Sequence, residues 1–346
     1  MKKLLVFCIL AILVGRVSAQ DIHFSMFNAA PLTLNPALAG AFNADHRIIG
    51  NYKSQWRSIA NPYTTYALSY DAGLLKRAIN GGFLGVGLQL YNDRAADTKM
   101  GVFQANVSLA YHLLLNRNNI LTAGVQGGFA QRSISASAMQ WGNQYDPHSD
   151  NGFNSSLSSG ETMNFTHFNY GDFTAGVLYT YNSGSTTMSS NNAFKLNLGI
   201  SMFHLNKPKQ QFMDNEAQKL YRRVNIHGYS LIGIRNTSLS LVPSLAVYFQ
   251  GPSREIMMGS LFRFRLQDAS HYTNFIQETA LSVGAHYRFS DAIVAEAMFE
   301  YKNFMLGVSY DVNVSKLSVA SSGMGGLEVA LRYITPLRQS DNKSMY

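Results

Sequence analysis

Cysteine is almost missing from this chain of 346 residues: the one cysteine, Cys8, lies in an apolar N-terminal stretch. A mature protein beginning near Gln20 would have none, which excludes a disulfide scaffold and a thiol enzyme. Charge is scarce as well, at 14% of residues, where a soluble protein carries about 25%. Long apolar runs end with the leader, and a helical membrane span needs about 20 apolar residues. No HExxH, GxSxG, P-loop or spaced Cys/His set occurs. The nine histidines are scattered and read as lumen, girdle or loop residues rather than ligands. These absences argue against an enzyme, and no cofactor or resident metal is expected.

What is present begins with a leader. Met1-Lys2-Lys3, the apolar run from Leu4 to Val14 and Val17-Ser18-Ala19 give the charged, apolar and small-residue order of a Sec-type signal peptide over 1–19, cut near Ala19. Losing its three basic residues lowers the formal charge from +8 to +5. For an exported protein such mild basicity suits an anionic outer-membrane lipid surface, and no nucleic-acid partner is expected.

The body of the chain alternates with a period of two. Phe103, Ala105, Val107, Leu109 and Tyr111 share one parity while Gln104, Asn106, Ser108 and His112 share the other. Near the end, Leu281, Val283, Ala285, Tyr287 and Phe289 alternate with Ser282, Gly284, His286 and Arg288. Segments of about ten residues cross a bilayer when tilted. Strands are expected near 47–56, 63–71, 83–92, 101–112, 120–131, 171–182, 193–204, 224–235, 239–249, 255–265, 277–289, 292–300, 303–312 and 326–335. Tyr91, Tyr111, Tyr181, Tyr248 and Tyr310 fall near segment ends, where aromatic girdles sit, and Trp56 and Tyr63 also read as girdle residues.

The fold class is therefore all-β, a transmembrane antiparallel β-barrel of about fourteen strands over 47–335. An N-terminal non-strand segment, 20–46, precedes it in the periplasm or lumen, and a tail, 336–346, follows. The long connections 132–170, 205–223 and 313–325 follow strands five, seven and thirteen, so all open at one face; short inner turns and long outer loops make that face extracellular. Within 142–172, oxygen-bearing Asn143, Asp146, Asp150, Asn151, Glu161 and Asp172 fit no calcium-loop spacing and read as a solvated loop. Lys207, Lys209, Lys219, Arg222 and Arg223 cluster in one outer connection. They suit either anionic lipid head groups or docking of an exported acidic partner.

Several strings then carry a resemblance. Gln20-Asp21-Ile22-His23-Phe24-Ser25 leads into Leu34-Asn35-Pro36-Ala37-Leu38-Ala39-Gly40, followed by Asn51-Tyr52-Lys53-Ser54-Gln55-Trp56 and Ser69-Tyr70-Asp71. Further on come Phe203-His204-Leu205-Asn206-Lys207-Pro208 and Leu306-Gly307-Val308-Ser309-Tyr310-Asp311-Val312-Asn313, then Gly325-Gly326-Leu327-Glu328. In order and span these resemble the PorP/SprF family over nearly the whole mature chain.

The resemblance implies an outer-membrane location and a role in type IX secretion and gliding. SprF-like members bind and anchor an exported surface adhesin through its C-terminal sorting domain. PorP-like members belong to the core machinery, with periplasmic ring proteins or a periplasmic lipoprotein as partners. A solute channel is the other alternative. Partner-binding residues are expected at His23, Phe24, Ser25, Asn35 and Pro36, because lipid-facing packing explains a polar, proline-bearing segment poorly. Lys207, Lys209, Arg222 and Arg223 are the second group. A plug that closes the lumen is the competing reading of the N-terminal segment.

Overall fold

The computed structural model describes residues 21–335 apart from 58–60, 77–78, 96–99, 136–138, 150–151, 161–166, 184–190, 192, 211–217, 268–277 and 316–317. The expected leader and the tail 336–346 lie outside the described residues. Among those described, no helix is long and apolar enough to cross a membrane.

Fourteen antiparallel strands form one closed barrel. They are β1 (His46–Gln55), β2 (Tyr63–Leu74), β3 (Gly82–Ala95), β4 (Met100–Leu114), β5 (Asn119–Ser133), β6 (Phe168–Asn182) and β7 (Phe194–Phe203), then β10 (Arg223–Gly233), β11 (Leu239–Gln250), β12 (Ser253–Gln267), β13 (Thr279–Arg288), β14 (Ala292–Tyr301), β15 (Phe304–Asn313) and β16 (Met324–Ile334). Two-residue strands β8 (Lys209–Gln210) and β9 (Gln218–Lys219) make a separate ribbon between β7 and β10. The seam pairs β1 with β16 from Arg47↔Ile334 to Gln55↔Gly326. Closure leaves the barrel without a free edge.

All fourteen expected strands are present, with ends shifted by no more than three residues. Alternation is the cause. On β4, Gln104, Asn106, Ser108 and His112 are buried while Phe103, Val107, Leu109 and Tyr111 are exposed; Val107 is 63% exposed and Asn106 3%. This reverses the distribution of a soluble protein and gives the wall an apolar exterior for hydrocarbon. Strands β3 to β6 and β12 run to 14 or 15 residues, more than the roughly 9–11 needed to cross a bilayer. The two longest connections, 134–167 and 204–222, leave the end opposite to the start of β1, while no connection between strands at the other end exceeds the eleven residues of 183–193 and 268–278; short inner turns and long outer loops make the former end the outer mouth.

Two girdle assignments are corrected by parity. Tyr111 and Tyr310 do face outward and are exposed, but Tyr248 is buried in the lumen. Tyr91 also points inward, donating to Gln104 and packing beside Phe24. Each lies on the same strand face as buried Gln89 or Ala246, and position along a strand sets depth while parity sets the side.

Candidate functional site

The lumen holds the chain's own N-terminal segment. From Asp21 near the outer mouth it passes through a 3-10 turn (Phe27–Ala29), a single helical turn (Pro31–Leu34) and a second 3-10 turn (Pro36–Leu38) before reaching β1 at the inner end. Pro31 and Pro36 stand at the first positions of their turns, where a missing N–H costs nothing. Such short turns leave many backbone groups unpaired, and the wall supplies their partners.

Near the outer mouth, Asp21 exchanges two hydrogen bonds with the Gln250 amide, at 3.0 and 2.9 Å. Its carboxylate lies 2.5 Å from His204 Nε2, whose Nδ1 is 2.9 Å from Asp172. Burial disfavours the imidazolium, but Asp21 and Asp172 outweigh it and push His204 up to about 9. Both ring nitrogens therefore donate. Burial also works against the Asp21 carboxylate, yet His204 and Arg223 hold it well below the usual range. Arg223 donates to the carbonyls of Ile22 (3.1 Å) and Thr33 (3.4 Å) and lies over the Phe203 ring.

One turn deeper, the backbone N–H groups of Ser25 and Met26 donate to the two oxygens of Glu328 at 2.8 and 3.0 Å. Lys53 pairs with Glu328 at 3.0 Å and also donates to the His23 carbonyl. Ser25 Oγ donates to Asp311 and accepts from Arg288, which is itself paired with Asp311. His23 Nε2 is 3.3 Å from Glu255. Burial, helped by Lys53 and Arg288, holds His23 well below its ordinary value, so this contact is between a neutral imidazole and the carboxyl group.

Asn35 anchors the middle. Its Nδ2 lies 2.9 Å from the Val177 carbonyl and 3.2 Å from His227 Nε2, while its Oδ1 accepts from the Ala37 N–H at 2.9 Å. Toward the inner end, Gly40 N–H donates to Asp71, which takes a two-pronged bond from Arg47 at 2.9 and 2.7 Å. His112 Nε2 donates to the Ala39 carbonyl, since that oxygen only accepts, and its Nδ1 then accepts from Thr122.

Close approach of segment and wall depends on glycine. A Cβ on Gly85 would lie 1.9 Å from the Ala39 oxygen, and one on Gly124 2.4 Å from the Ala37 nitrogen. Apolar contacts complete the seat: Phe27, Leu34, Ala37 and Leu38 pack with Leu178, Ala246, Tyr248, Met257 and Val294. Burying each large side chain stabilises by about 1.5–3 kcal/mol. Two cavities beside Asp21 measure about 10 Å³ each, room for a single water molecule.

The sequence-predicted residues therefore divide. His23, Phe24, Ser25, Asn35 and Pro36 all lie in the lumenal segment, enclosed by this chain's own wall, with Phe24, Ser25, Asn35 and Pro36 fully buried. Of the basic group, Lys207, Lys209, Lys219 and Arg222 are exposed at the outer mouth, while Arg223 is buried and fastens the segment. Arg222 and Arg223 separate because neighbouring strand residues face opposite sides. Of the wall partners, Asp71, His204 and Glu328 fall in the strings that carry the resemblance, whereas Arg47 and His112 show only as polar residues on the inward parity of their strands; His204 follows the end of β7, where a positive φ of 57° turns the chain. Among the described residues no His, Cys, Asp and Glu group is arranged for a metal.

A closed barrel with an apolar exterior, a polar lumen and an internal N-terminal plug defines a plugged outer-membrane β-barrel. The family model for the type IX secretion system membrane protein PorP/SprF matches residues 16–333, and the chain belongs to that family. Membership implies other components of the secretion system as partners. Among solved structures the chain is similar to BamA from Haemophilus ducreyi lacking POTRA domains 1-3, at 10% identity and a TM-score of 0.42, covering 84% of this chain and 70% of that one. It is also similar to the P. putida toluene transporter TodX, at 9% identity and a TM-score of 0.43, covering 88% and 93%. No curated protein gives a significant match.

Proposed function

We propose that this barrel acts by binding: it receives an exported surface adhesin at its outer mouth, through the adhesin's C-terminal sorting domain, and anchors it in the outer membrane. The observation that carries this reading is the lumen itself, which the chain's own segment occupies from Asp21 near the outer mouth to Gly40 near the inner end. A solute channel needs an open path, whereas an anchor needs only a surface on a rigid scaffold. The long connections 134–167 and 204–222 provide that surface. No bond of the cargo needs to be made or broken, so the reading is non-catalytic, in a signal-peptide-exported protein serving adhesion and gliding.

The test is affinity purification of the tagged full chain from mild detergent, followed by mass spectrometry. One large surface protein held through its C-terminal domain is the expected result. Recovery of periplasmic ring proteins without it would assign the chain to the core machinery and contradict the anchor.

A further inference from the structure

The wall is thinnest where the lumenal segment is held closest. Gly124 on β5 pairs directly with Gly176 on β6, and both face the segment: a Cβ on Gly124 would run into the Ala37 backbone, and one on Gly176 into the Asn35 side chain. The outward neighbours of this glycine pair are small as well. Ala123 stands between Leu121 and Val125 on the outer face of β5, and Ala175 between Phe173 and Val177 on that of β6. Where the two alanines fall short of their neighbours, a groove of about 530 Å³ opens on the barrel's exterior.

Two register rows line it. Tyr111, Ala123, Val177 and Ile200 lie side by side across β4 to β7, and Leu109, Val125, Ala175 and Met202 form the adjoining row. The six larger side chains are all exposed on the face that meets hydrocarbon, so the groove is continuous with the lipid-facing wall. From Leu84 on β3 to Val224 on β10 its lining crosses five strand spacings, about 24 Å, more than the roughly 15 Å of hydrocarbon in one leaflet. Only Tyr111 and Ser201 in the lining carry hydroxyls. Ser201 turns its own inward to the Leu34 carbonyl. Tyr111 carries its hydroxyl to the inner rim, beside Gly82 at the start of β3, the depth at which interfacial tyrosines meet head groups. Each notch is one side chain wide, so a transmembrane helix about 10–12 Å across rests on the rims, and the floor offers a polypeptide no polar side chain to bind. A flexible hydrocarbon chain reaches the floor.

We infer that this groove binds one acyl chain of a phospholipid of the inner, periplasm-facing leaflet, with the head group at Tyr111. The chain supplies contacts that the floor lacks, since the lining of a void has no partner atoms on one side. It also backs the wall on which Asn35 and Ala37 rest, so that lipid outside and segment inside pack against the same glycine pair. The site is remote from the outer mouth and stands whether or not the barrel anchors an adhesin.

The probe is palmitoyl-oleoyl phosphatidylethanolamine, added to the full chain in detergent micelles and read by native mass spectrometry. The wild type should retain one phospholipid, and Ala123→Leu/Ala175→Leu, which fills the groove from its floor, should lower retention about tenfold. Ala295→Leu changes another outward, exposed alanine, on β14 and away from the groove; it should retain the lipid as the wild type does. Limited proteolysis within 21–45 reads the backing: stripping lipid should speed cleavage of the wild type and leave the filled variant protected. Equal retention by the wild type and the filled variant assigns the lipid to the general belt and overturns the inference, as does a lipopolysaccharide or a polypeptide held in its place. Cleavage that ignores lipid in both proteins overturns the backing of the wall.

Discussion

Glu328→Ala should destabilise the barrel by about 3–5 kcal/mol, the usual cost of removing one partner from a buried ion pair. Glu328 is 1% exposed and Lys53 4%, so the lysine left behind has little water to replace its partner. The Ser25 and Met26 N–H groups lose their acceptors at the same time, and each buried unsatisfied donor adds about 1–3 kcal/mol. Lys53→Met combined with Glu328→Leu removes both charges and should recover part of the loss. Denaturant unfolding in detergent micelles, read for Lys53→Met, Glu328→Leu and the double, measures the coupling. Additive losses across the cycle would show that Lys53 and Glu328 do not act as a pair.

Gly124→Val should unseat the lumenal segment without opening the wall. A Cβ there would lie 2.4 Å from the Ala37 nitrogen and 2.6 Å from its Cα, and backbone cannot swing aside as a flexible side chain can. The segment must leave its seat and give up the burial of Phe27, Leu34 and Leu38, at about 1.5–3 kcal/mol for each large side chain. Gly50→Ala is the control, since the space around Gly50 is open. Limited proteolysis within 21–45 reads the outcome: rapid cleavage in Gly124→Val, protection in the wild type and in Gly50→Ala. Equal protection of Gly124→Val would mean that the seat does not depend on this approach.

The barrel was legible because two-residue alternation records which side of the wall each residue faces, and fourteen such segments add up to closure. The plug was legible only as a segment without alternation. Its seat depends on partners such as Glu328 and Asp71, which lie on distant strands and look individually like ordinary polar lumen residues. His23, Phe24, Ser25, Asn35 and Pro36 stood out for their chemistry, yet that chemistry meets the chain's own wall. The β8–β9 ribbon was missed because a two-residue ladder leaves no periodic trace. Tyr91 and Tyr248 were misplaced because an aromatic near a strand end suggests a girdle until its parity is compared with neighbouring polar residues.

The most direct measurement is the current carried by the purified full chain in planar lipid bilayers, beside a variant lacking residues 21–40 whose barrel formation is checked by heat-modifiable gel mobility. A lumen closed by its own N-terminal segment predicts silence from the full chain and sustained conductance from the deletion. Equal, sustained conductance from both would contradict the closed lumen and return the protein to the channels.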